Sequence, residues 1–283
     1  MGAIADSTAV LTSKVLPQHQ AAITLLGQLL AAPGAEQIAW LDLACGKGQI
    51  LAQLDENIQE EELRARITYS GYDIENEHSR VAAKIAAGLK FRSVEVQTGE
   101  MEHFAKIFPP ERKFTFVSFT NTVHELRPQL VASLLIDIIL RLDPRGVLYI
   151  YDMETLPLPE LGAVPWDGDD FKKLLKAIFD ELGCNKPALI VQRWEHSSCS
   201  GWSVNLHRDH LQVTDEAIVK QAGAVVSKVA RVIAEVLVYK LKTVSEALES
   251  LTRFGSDNAE ETKQKTKLLY DFWSLQRAIK EIK

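Results

Sequence analysis

The chain has 283 residues, a length that fits one large domain, with or without an extension, and excludes an array of many independent modules. Hydrophobic residues make up 46% and charged residues 25% of the chain, a globular composition that excludes disorder throughout. The net charge of −6 removes the overall basic field on which nucleic-acid binding depends, so nucleic acid is not an expected partner.

The cellular location is predicted from what the sequence lacks. Three cysteines are too few for a disulfide framework and suit a reducing compartment. The first ten residues have neither the basic flank nor the apolar run of a signal peptide. No stretch has the roughly 18 consecutive apolar residues that a membrane span needs. We therefore expect a cytoplasmic protein with no membrane partner.

Helical and strand patterns alternate along the first two thirds of the chain. Apolar spacing predicts a helix over Gln18–Leu30, which Pro33 and Gly34 end. Residues 49–66 are predicted to form one helix that keeps Arg64 on its solvated face. The other helices are predicted near residues 77–89, 127–142 and 169–182. The predicted strands are IAWLDLACG, ITYSGYDI, FRSVEVQTG, FTFVSFTN and GVLYIYDME.

Two further strands, ALIVQRWE and GWSVNLHRD, follow without a helix between them, so we expect an antiparallel hairpin that closes the sheet near residue 211. The alternation of strands and helices before them indicates crossover connections and a parallel sheet covered on both faces. The predicted fold class is therefore α/β, with a doubly wound, mostly parallel seven-stranded sheet.

The last 72 residues have a different pattern. From Ile218 to Leu251 apolar residues recur every three or four positions, which predicts a long helix with an apolar seam. Gly255 ends that helix, and Asn258 with Glu261 is a typical start for a second one. We therefore divide the chain into an N-terminal helical lid (1–35), a main domain (36–211) and a C-terminal helical extension (212–283). The seam has to be covered by the main domain, by the other helix or by another subunit, so a homodimer or a docked partner through 214–283 is a further expectation.

A turn rich in small residues follows the first predicted strand, in the sequence LDLACGKG. Such a turn lets a ligand approach the backbone amides that begin the next helix. It does not match a nucleoside-triphosphate loop, because Lys47 is followed by Gly48 and not by Ser or Thr. It does not match a dinucleotide turn either, because Leu51 stands where the third glycine is needed.

With its neighbours, this turn resembles the first motif of the class I S-adenosylmethionine-dependent methyltransferases, D-x-[GA]-x-G-x-G. Asp42, Gly46 and Gly48 match the motif, and Ala44 stands where that family more often has glycine. The resemblance covers roughly residues 36–211. It implies a Rossmann-like methyltransferase fold and S-adenosyl-L-methionine as the cofactor.

The resemblance also implies which residues bind that cofactor. Asp73, next to Ile74 at the end of the second strand, matches the family's ribose-binding acid. Glu100 and Met101 fall in the adenine-binding segment, and Thr120 with Asn121 in the floor of the donor pocket. A pocket that has these carboxylates and no arginine assigned to it suits a cationic sulfonium that carries no phosphate.

Each of these residues also has an ordinary structural alternative. Asp42 and Asp73 are residue types that cap turns through their own side chains. Glu100 is two residues from Glu102, and either is equally well a solvated surface charge. Asn121 at a strand end can satisfy the local backbone.

The catalytic candidates are His124 and Glu125, just past the fourth strand. Methyl transfer mainly requires positioning of the acceptor, and a base is needed only if the nucleophile loses a proton. His124 is equally compatible with helix capping or packing on the sheet. Asp152 and Glu154 are placed to line an acceptor site, but two carboxylates do not make a metal site, so no metal is predicted.

These observations predict methyl transfer from S-adenosylmethionine to an oxygen or nitrogen nucleophile. The net charge makes structured RNA a less expected acceptor, which leaves a small molecule as the first expectation and a protein as the second. The alternative is a catalytically silent S-adenosylmethionine-binding scaffold, or a regulatory subunit, that acts through its helical tail. An oxidoreductase is a weaker third possibility, since the dinucleotide turn is incomplete.

Overall fold

The computed structural model describes residues 17–34, 36–156, 158–184, 189–195, 199–256 and 258–282. Its centre is a seven-stranded sheet in the order β3-β2-β1-β4-β5-β7-β6. The strands are β1 (Ile38–Leu43), β2 (Ile67–Asp73), β3 (Ser93–Thr98), β4 (Phe114–Thr120), β5 (Leu142–Thr155), β6 (Val191–Glu195) and β7 (Ser200–His207). Strands β1 to β5 pair in parallel, while β7 is antiparallel to both β5 and β6. The predicted fold class is confirmed, including the closing hairpin.

Helices cover both faces of the sheet. They are α1 (Pro17–Ala31), α2 (Gln49–Asn57), α3 (Glu61–Arg64), α4 (Asn76–Gly88), α5 (Phe104–Ile107), α6 (Pro128–Ile139), α7 (Gly168–Glu181), α8 (Asp215–Phe254) and α9 (Ala259–Ile282). Successive residues of a strand point to opposite faces, so Trp40 joins a core with α1, α2 and α4, whereas Leu41 joins the core under α6 to α9. The two apolar layers hold the sheet between them and fix the position of its carboxyl-terminal edge.

The predicted single helix over 49–66 is wrong, because the chain breaks between α2 and α3. The Arg64 side chain turns inward, where Nη1 donates to the carbonyl oxygens of Ile58 (2.7 Å) and Gln59 (3.1 Å). Its Nε donates to the carbonyl of Leu89 at 3.1 Å. Arg64 is therefore buried instead of solvated, and it satisfies the carbonyls that the end of α2 leaves unpaired.

The C-terminal helices pack on the main domain instead of standing apart from it. Along α8, Ile218, Val225 and Val229 are buried in the same core as α6 and α7. Asn258 caps α9 as predicted, since its Oδ1 accepts a hydrogen bond from the Glu261 amide at 2.9 Å. The apolar seam from Ile218 to Val244 is thus packed within the chain itself. Other apolar side chains of the extension, including Phe254, are exposed, and self-association stays a prediction.

The length and hydropathy of the helices are relevant to the predicted absence of a membrane span. Within the described ranges, none of the helices combines the length and the apolar character that crossing a bilayer requires.

Candidate active site

A cavity of about 460 Å³ lies at the carboxyl-terminal edge of β1, β2 and β4. Ligands bind at this edge in open α/β sheets, where the strand order reverses. The predicted site residues that line it are Asp42, Ala44, Gly46, Asp73, Ile74, Met101, Thr120, Asn121 and Glu125. Three others, Gly48, Glu100 and His124, lie outside its lining. One wall also comes from α1, through His19.

The small-residue turn takes a left-handed backbone at three positions. The φ angles are 53° at Ala44, 53° at Gly46 and 81° at Gly48. Glycine adopts this conformation without strain, whereas an L-residue such as Ala44 incurs about 1–2 kcal/mol. A Cβ at Gly48 would lie 3.3 Å from the Cα of Ala82, so this glycine allows α2 to approach α4 and does not itself face the cavity.

Asp73 joins the turn to the end of β2. Its Oδ2 accepts a hydrogen bond from the Gly46 amide at 2.8 Å, and its Oδ1 accepts one from the Glu75 amide at 2.9 Å. The Nδ1 of His78 lies 3.4 Å from the same Oδ1. Asp73 therefore fixes the shape of the turn, as in the structural alternative, and it also lines the cavity, while its binding role stays a prediction.

Asp42 belongs to a buried hydrogen-bond network beneath the turn. Ser118 Oγ donates to Asp42 Oδ1 at 2.5 Å and Tyr69 OH donates to Oδ2 at 3.1 Å. Ser118 in turn accepts a hydrogen bond from Trp40 Nε1 at 2.8 Å. Burial raises the pKa of Asp42 from 3.8 to about 7, against the opposing effect of these two hydrogen bonds. This carboxyl group is therefore poised to change its charge near neutral pH.

The segment after β3 places a different acid at the cavity from the one predicted. Glu100 is exposed, and its carbonyl oxygen accepts a hydrogen bond from Tyr72 OH at 2.7 Å. A 3₁₀ turn over Met101–His103 follows directly, and it brings Met101 and Glu102 into the lining instead. Glu102 forms an ion pair with Arg127, which also lines the cavity. The sequence indicated that Glu102 could take the place of Glu100 only through its position two residues further on.

The end of β4 forms the floor of the cavity. Asn121 has a φ of 55°, and its amide donates to the carbonyl of Tyr151 on β5 at 2.9 Å. Thr122 Oγ1 donates back to the carbonyl of Thr120 at 3.0 Å. A non-glycine residue in the left-handed region is held there by its neighbours, and such residues cluster at functional sites.

His124 is 1% exposed and is not part of the lining of this cavity. Its Nδ1 lies 2.5 Å from Asp152 Oδ1, and its backbone amide donates to Asp152 Oδ2 at 2.8 Å. Its Nε2 faces Glu160 Oε2 at 3.6 Å and Glu125 Oε1 at 3.8 Å. Burial alone would lower the pKa of His124, but the ion pair with Asp152, supported by Glu160 and Glu125, raises it to about 10.

A second cavity of about 390 Å³ adjoins the first and shares Glu125, Leu126 and Arg127 with it. Its other walls are the loop 160–164 and one side of α9. The Gly162 amide donates to Ser274 Oγ on α9 at 3.0 Å, which ties the loop to the helix. The sequence did not indicate this cavity, because α9 lies more than 100 residues after the other two wall segments and the three carry no common motif.

The chain matches one family of known proteins. The family described as "Methyltransferase domain" matches residues 35–200, which is more than half of the chain. The chain belongs to that family. The predicted resemblance to class I S-adenosylmethionine-dependent methyltransferases is confirmed, and S-adenosylmethionine is the methyl donor of such enzymes. The glycine turn and the acids around the first cavity all fall within the matched residues.

Solved structures of methyltransferases resemble this one at low sequence identity. The magnesium protoporphyrin IX methyltransferase of Synechocystis with bound S-adenosylmethionine is 12% identical, with a TM-score of 0.49 over 74% of this chain and 92% of that one. An rRNA methylase of Streptococcus thermophilus is 12% identical, with a TM-score of 0.44 over 69% and 98%. A search of curated proteins finds no match. The two structures are described with chemically unrelated acceptors, so they do not identify the acceptor of this enzyme.

Proposed function

We propose that this methyltransferase acts on an oxygen or nitrogen atom of a small molecule held in the second cavity. The observation that carries the proposal is that the two cavities meet at Glu125, Leu126 and Arg127. A donor in the first cavity and an acceptor in the second would face each other across this border. In-line transfer requires this kind of close, fixed approach of the two reactants.

The first cavity suits S-adenosylmethionine in volume and in charge. Its volume falls within the range of roughly 300–1,000 Å³ that is usual for small-ligand sites. Among the described residues that line it, Arg127 is the only lysine or arginine, and it is paired with Glu102. The acids that line it are Asp42, Asp73, Glu75, Glu102 and Glu125. This charge pattern favours a cationic nucleoside and disfavours a diphosphate.

The second cavity suits a small molecule instead of a polymer. Its volume of about 390 Å³ is that of a compact ligand site, and α9 forms one of its walls. Apolar surface comes from Leu126, Leu161, Val164 and Ala278. The polar and charged side chains of the lining are Glu125, Arg127, Glu160, Ser274, Arg277 and Glu281. Such a lining suits a compact, polar small molecule.

The roles of the two predicted catalytic residues differ. His124 holds a proton on a nitrogen that faces acids, so it has no free nitrogen to accept a proton from the acceptor. We assign it a positioning role, because it links Asp152 to the segment that carries Glu125. Glu125 is 48% exposed and lines both cavities, so it is the residue placed to accept a proton or to hold an amine.

The test combines ligand binding with transfer of a labelled methyl group. Calorimetry is expected to show one S-adenosylmethionine per chain, with affinity at least about tenfold lower in Asp73→Ala, which removes the hydrogen-bond acceptor of Gly46. Asp209→Asn, an exposed aspartate outside both cavities, is the matched control. Protein with methyl-labelled donor is then incubated with separate small-molecule, protein and RNA fractions. Label that enters only protein or RNA refutes a small-molecule acceptor, and absence of donor binding refutes the whole proposal.

A further inference from the structure

We propose that His124, Glu125 and Glu160 form a binding site for one divalent metal ion at the border between the two cavities. The three side chains come from the turn after β4 and from the loop 160–164. One donor atom of each residue lies within 4.8 Å of the donor atoms of the other two. Imidazole nitrogen and carboxylate oxygen are a common ligand combination for zinc, manganese and iron.

The separations of these atoms fit a metal centre. His124 Nε2 is 3.6 Å from Glu160 Oε2 and 3.8 Å from Glu125 Oε1. Ligands at about 2.0–2.2 Å from one ion lie roughly 3–4 Å from each other in tetrahedral or octahedral geometry. At those separations one ion can contact all three donors after a small rotation of the half-exposed Glu125 side chain.

The histidine is oriented in the way that a metal ligand requires. Asp152 is fully buried and holds His124 through both the ring Nδ1 and the backbone amide. A carboxylate that accepts the Nδ1 proton orients the ring and leaves Nε2 as the nitrogen on which a metal ion would take the place of a proton. That Nε2 is the atom that faces Glu125 and Glu160. Asp152 would therefore act as the outer partner in a carboxylate–histidine–metal arrangement.

The local charge also favours a cation. Asp152, Glu125 and Glu160 place three carboxylates around a single imidazole ring, one of them fully buried. The two arginines of the second cavity pair with acids outside the proposed ligand set, Arg127 with Glu102 and Arg277 with Glu281. A divalent ion bound at Nε2 would offset the negative charge of these three carboxylates and so relieve the repulsion between them.

The open positions of such an ion would face the second cavity, which both glutamates line. There the ion could hold an oxygen of the acceptor and lower the pKa of that oxygen. This role in the reaction rests on the proposed function, but the existence of the site does not. No metal was predicted from the sequence, since two carboxylates after the fifth strand do not make a metal site. Glu160 is 35 residues from Glu125, and only the fold brings them together.

Titration of the full chain with manganese tests the site. Protein is treated with a chelator, dialysed and titrated with Mn²⁺ up to about 1 mM, the weak end of protein sites for divalent ions, while free Mn²⁺ is followed by electron paramagnetic resonance. One saturable Mn²⁺ per chain is expected, and Zn²⁺ should displace it. Asp152→Asn, which keeps the shape of the outer partner, should weaken binding by about 10–100-fold. Glu160→Gln and His124→Gln should abolish saturable binding.

Glu281→Gln is the matched control for metal affinity, because Glu281 lines the same cavity outside the proposed ligand set. Circular dichroism confirms that each variant is folded, and Glu160→Gln on its loop keeps the test usable if His124→Gln does not fold. Equal Mn²⁺ binding by all variants, or no saturable site in the wild type, overturns the proposal. Calorimetry of S-adenosylmethionine on the metal-free protein separates this outcome from a failure of the proposed function.

Discussion

Replacing Asp42 by asparagine is expected to remove the contribution that this one carboxyl group makes to the pH dependence of stability. Asp42 is 2% exposed and accepts hydrogen bonds from Ser118 and Tyr69. Its pKa rises from 3.8 to about 7 because burial penalises the ionised form. Asparagine has the same shape and one carbonyl oxygen to accept a hydrogen bond, but it does not titrate.

The size of the effect follows from the two pKa values. Between pH 3.8 and about 7 the unfolded chain has lost a proton that the folded chain still holds on Asp42. The free energy of unfolding therefore falls by about 1.4 kcal/mol per pH unit in this window. The contribution of protonated Asp42 is complete below the unfolded pKa and is lost as the pH rises through the folded pKa. From pH 5 to pH 8 the expected loss is about 2–3 kcal/mol.

Urea unfolding of wild type and Asp42→Asn at half-unit intervals from pH 5 to pH 8 measures this loss. The free energy of unfolding of the wild type, minus that of the variant, should fall by about 2–3 kcal/mol across the series. Asp209→Asn, an exposed control, should show no such trend. A difference that stays level within about 0.5 kcal/mol, or that rises with pH, would refute the raised pKa.

Binding of the donor provides a second measurement of the same group. A cationic ligand stabilises ionised Asp42, so binding near pH 7 should release a proton, and the affinity of the wild type should rise from pH 6 to pH 8. S-adenosylhomocysteine lacks the sulfonium charge and should show a weaker dependence. Calorimetry in buffers with different ionisation enthalpies measures the released proton. Proton release that is equal in Asp42→Asn would assign it to another group.

Three further predictions concern the turn, the second cavity and the tail. Ala44→Gly should raise the free energy of unfolding by about 0.5–1 kcal/mol, because φ at this position is 53° and glycine adopts it without strain. Gly48→Ala, at φ 81°, should lower the free energy of unfolding by more than about 1 kcal/mol. Urea unfolding of both variants checks the two signs. Ser274→Ala removes the acceptor of the Gly162 amide and should cost about 1–3 kcal/mol and speed hydrogen exchange of that amide; unchanged exchange would contradict the link between loop and helix. Val229→Glu places a charge in the core and should lower the free energy of unfolding by at least about 3 kcal/mol. If the variant is as stable as the wild type and light scattering shows only the loss of a bound partner, the scaffold alternative is favoured.

The sequence predicted the fold well because its signals are periodic and local. Buried strands of a parallel sheet are continuous apolar runs, and the helices between them repeat every three to four residues, so order and type follow from the chain alone. The error at Arg64 has a different origin. Its charge suggested solvent, but the three carbonyl oxygens that it reaches include one on Leu89, which no local pattern indicates.

The candidate site likewise has features that local sequence signals indicate and features that depend on contacts between distant segments. The residues of the glycine turn lie within a few positions of each other, and the resemblance placed most of them at the cavity. The choice between Glu100 and Glu102 depended on the direction of one side chain, which the sequence does not give. A 3₁₀ turn places Glu102, and not Glu100, in the lining. The contacts of His124 with Asp152 and Glu160 join segments 28 and 36 residues apart, and no spacing rule connects such segments.

The two cavities also differ in what family membership can explain. Apart from His19, the first cavity is lined by residues between Asp42 and Leu130, all inside the matched range 35–200. The second cavity takes one wall from residues 274–281 of α9, which lie outside that range. A shared donor requires a shared donor site, whereas the acceptor is specific to each enzyme. The choice of acceptor is therefore expected to depend on α9, and exchanging Ala278 for a larger side chain should reduce acceptor turnover while S-adenosylmethionine affinity stays unchanged. A loss of donor binding in that variant would show that the two cavities are not separate sites.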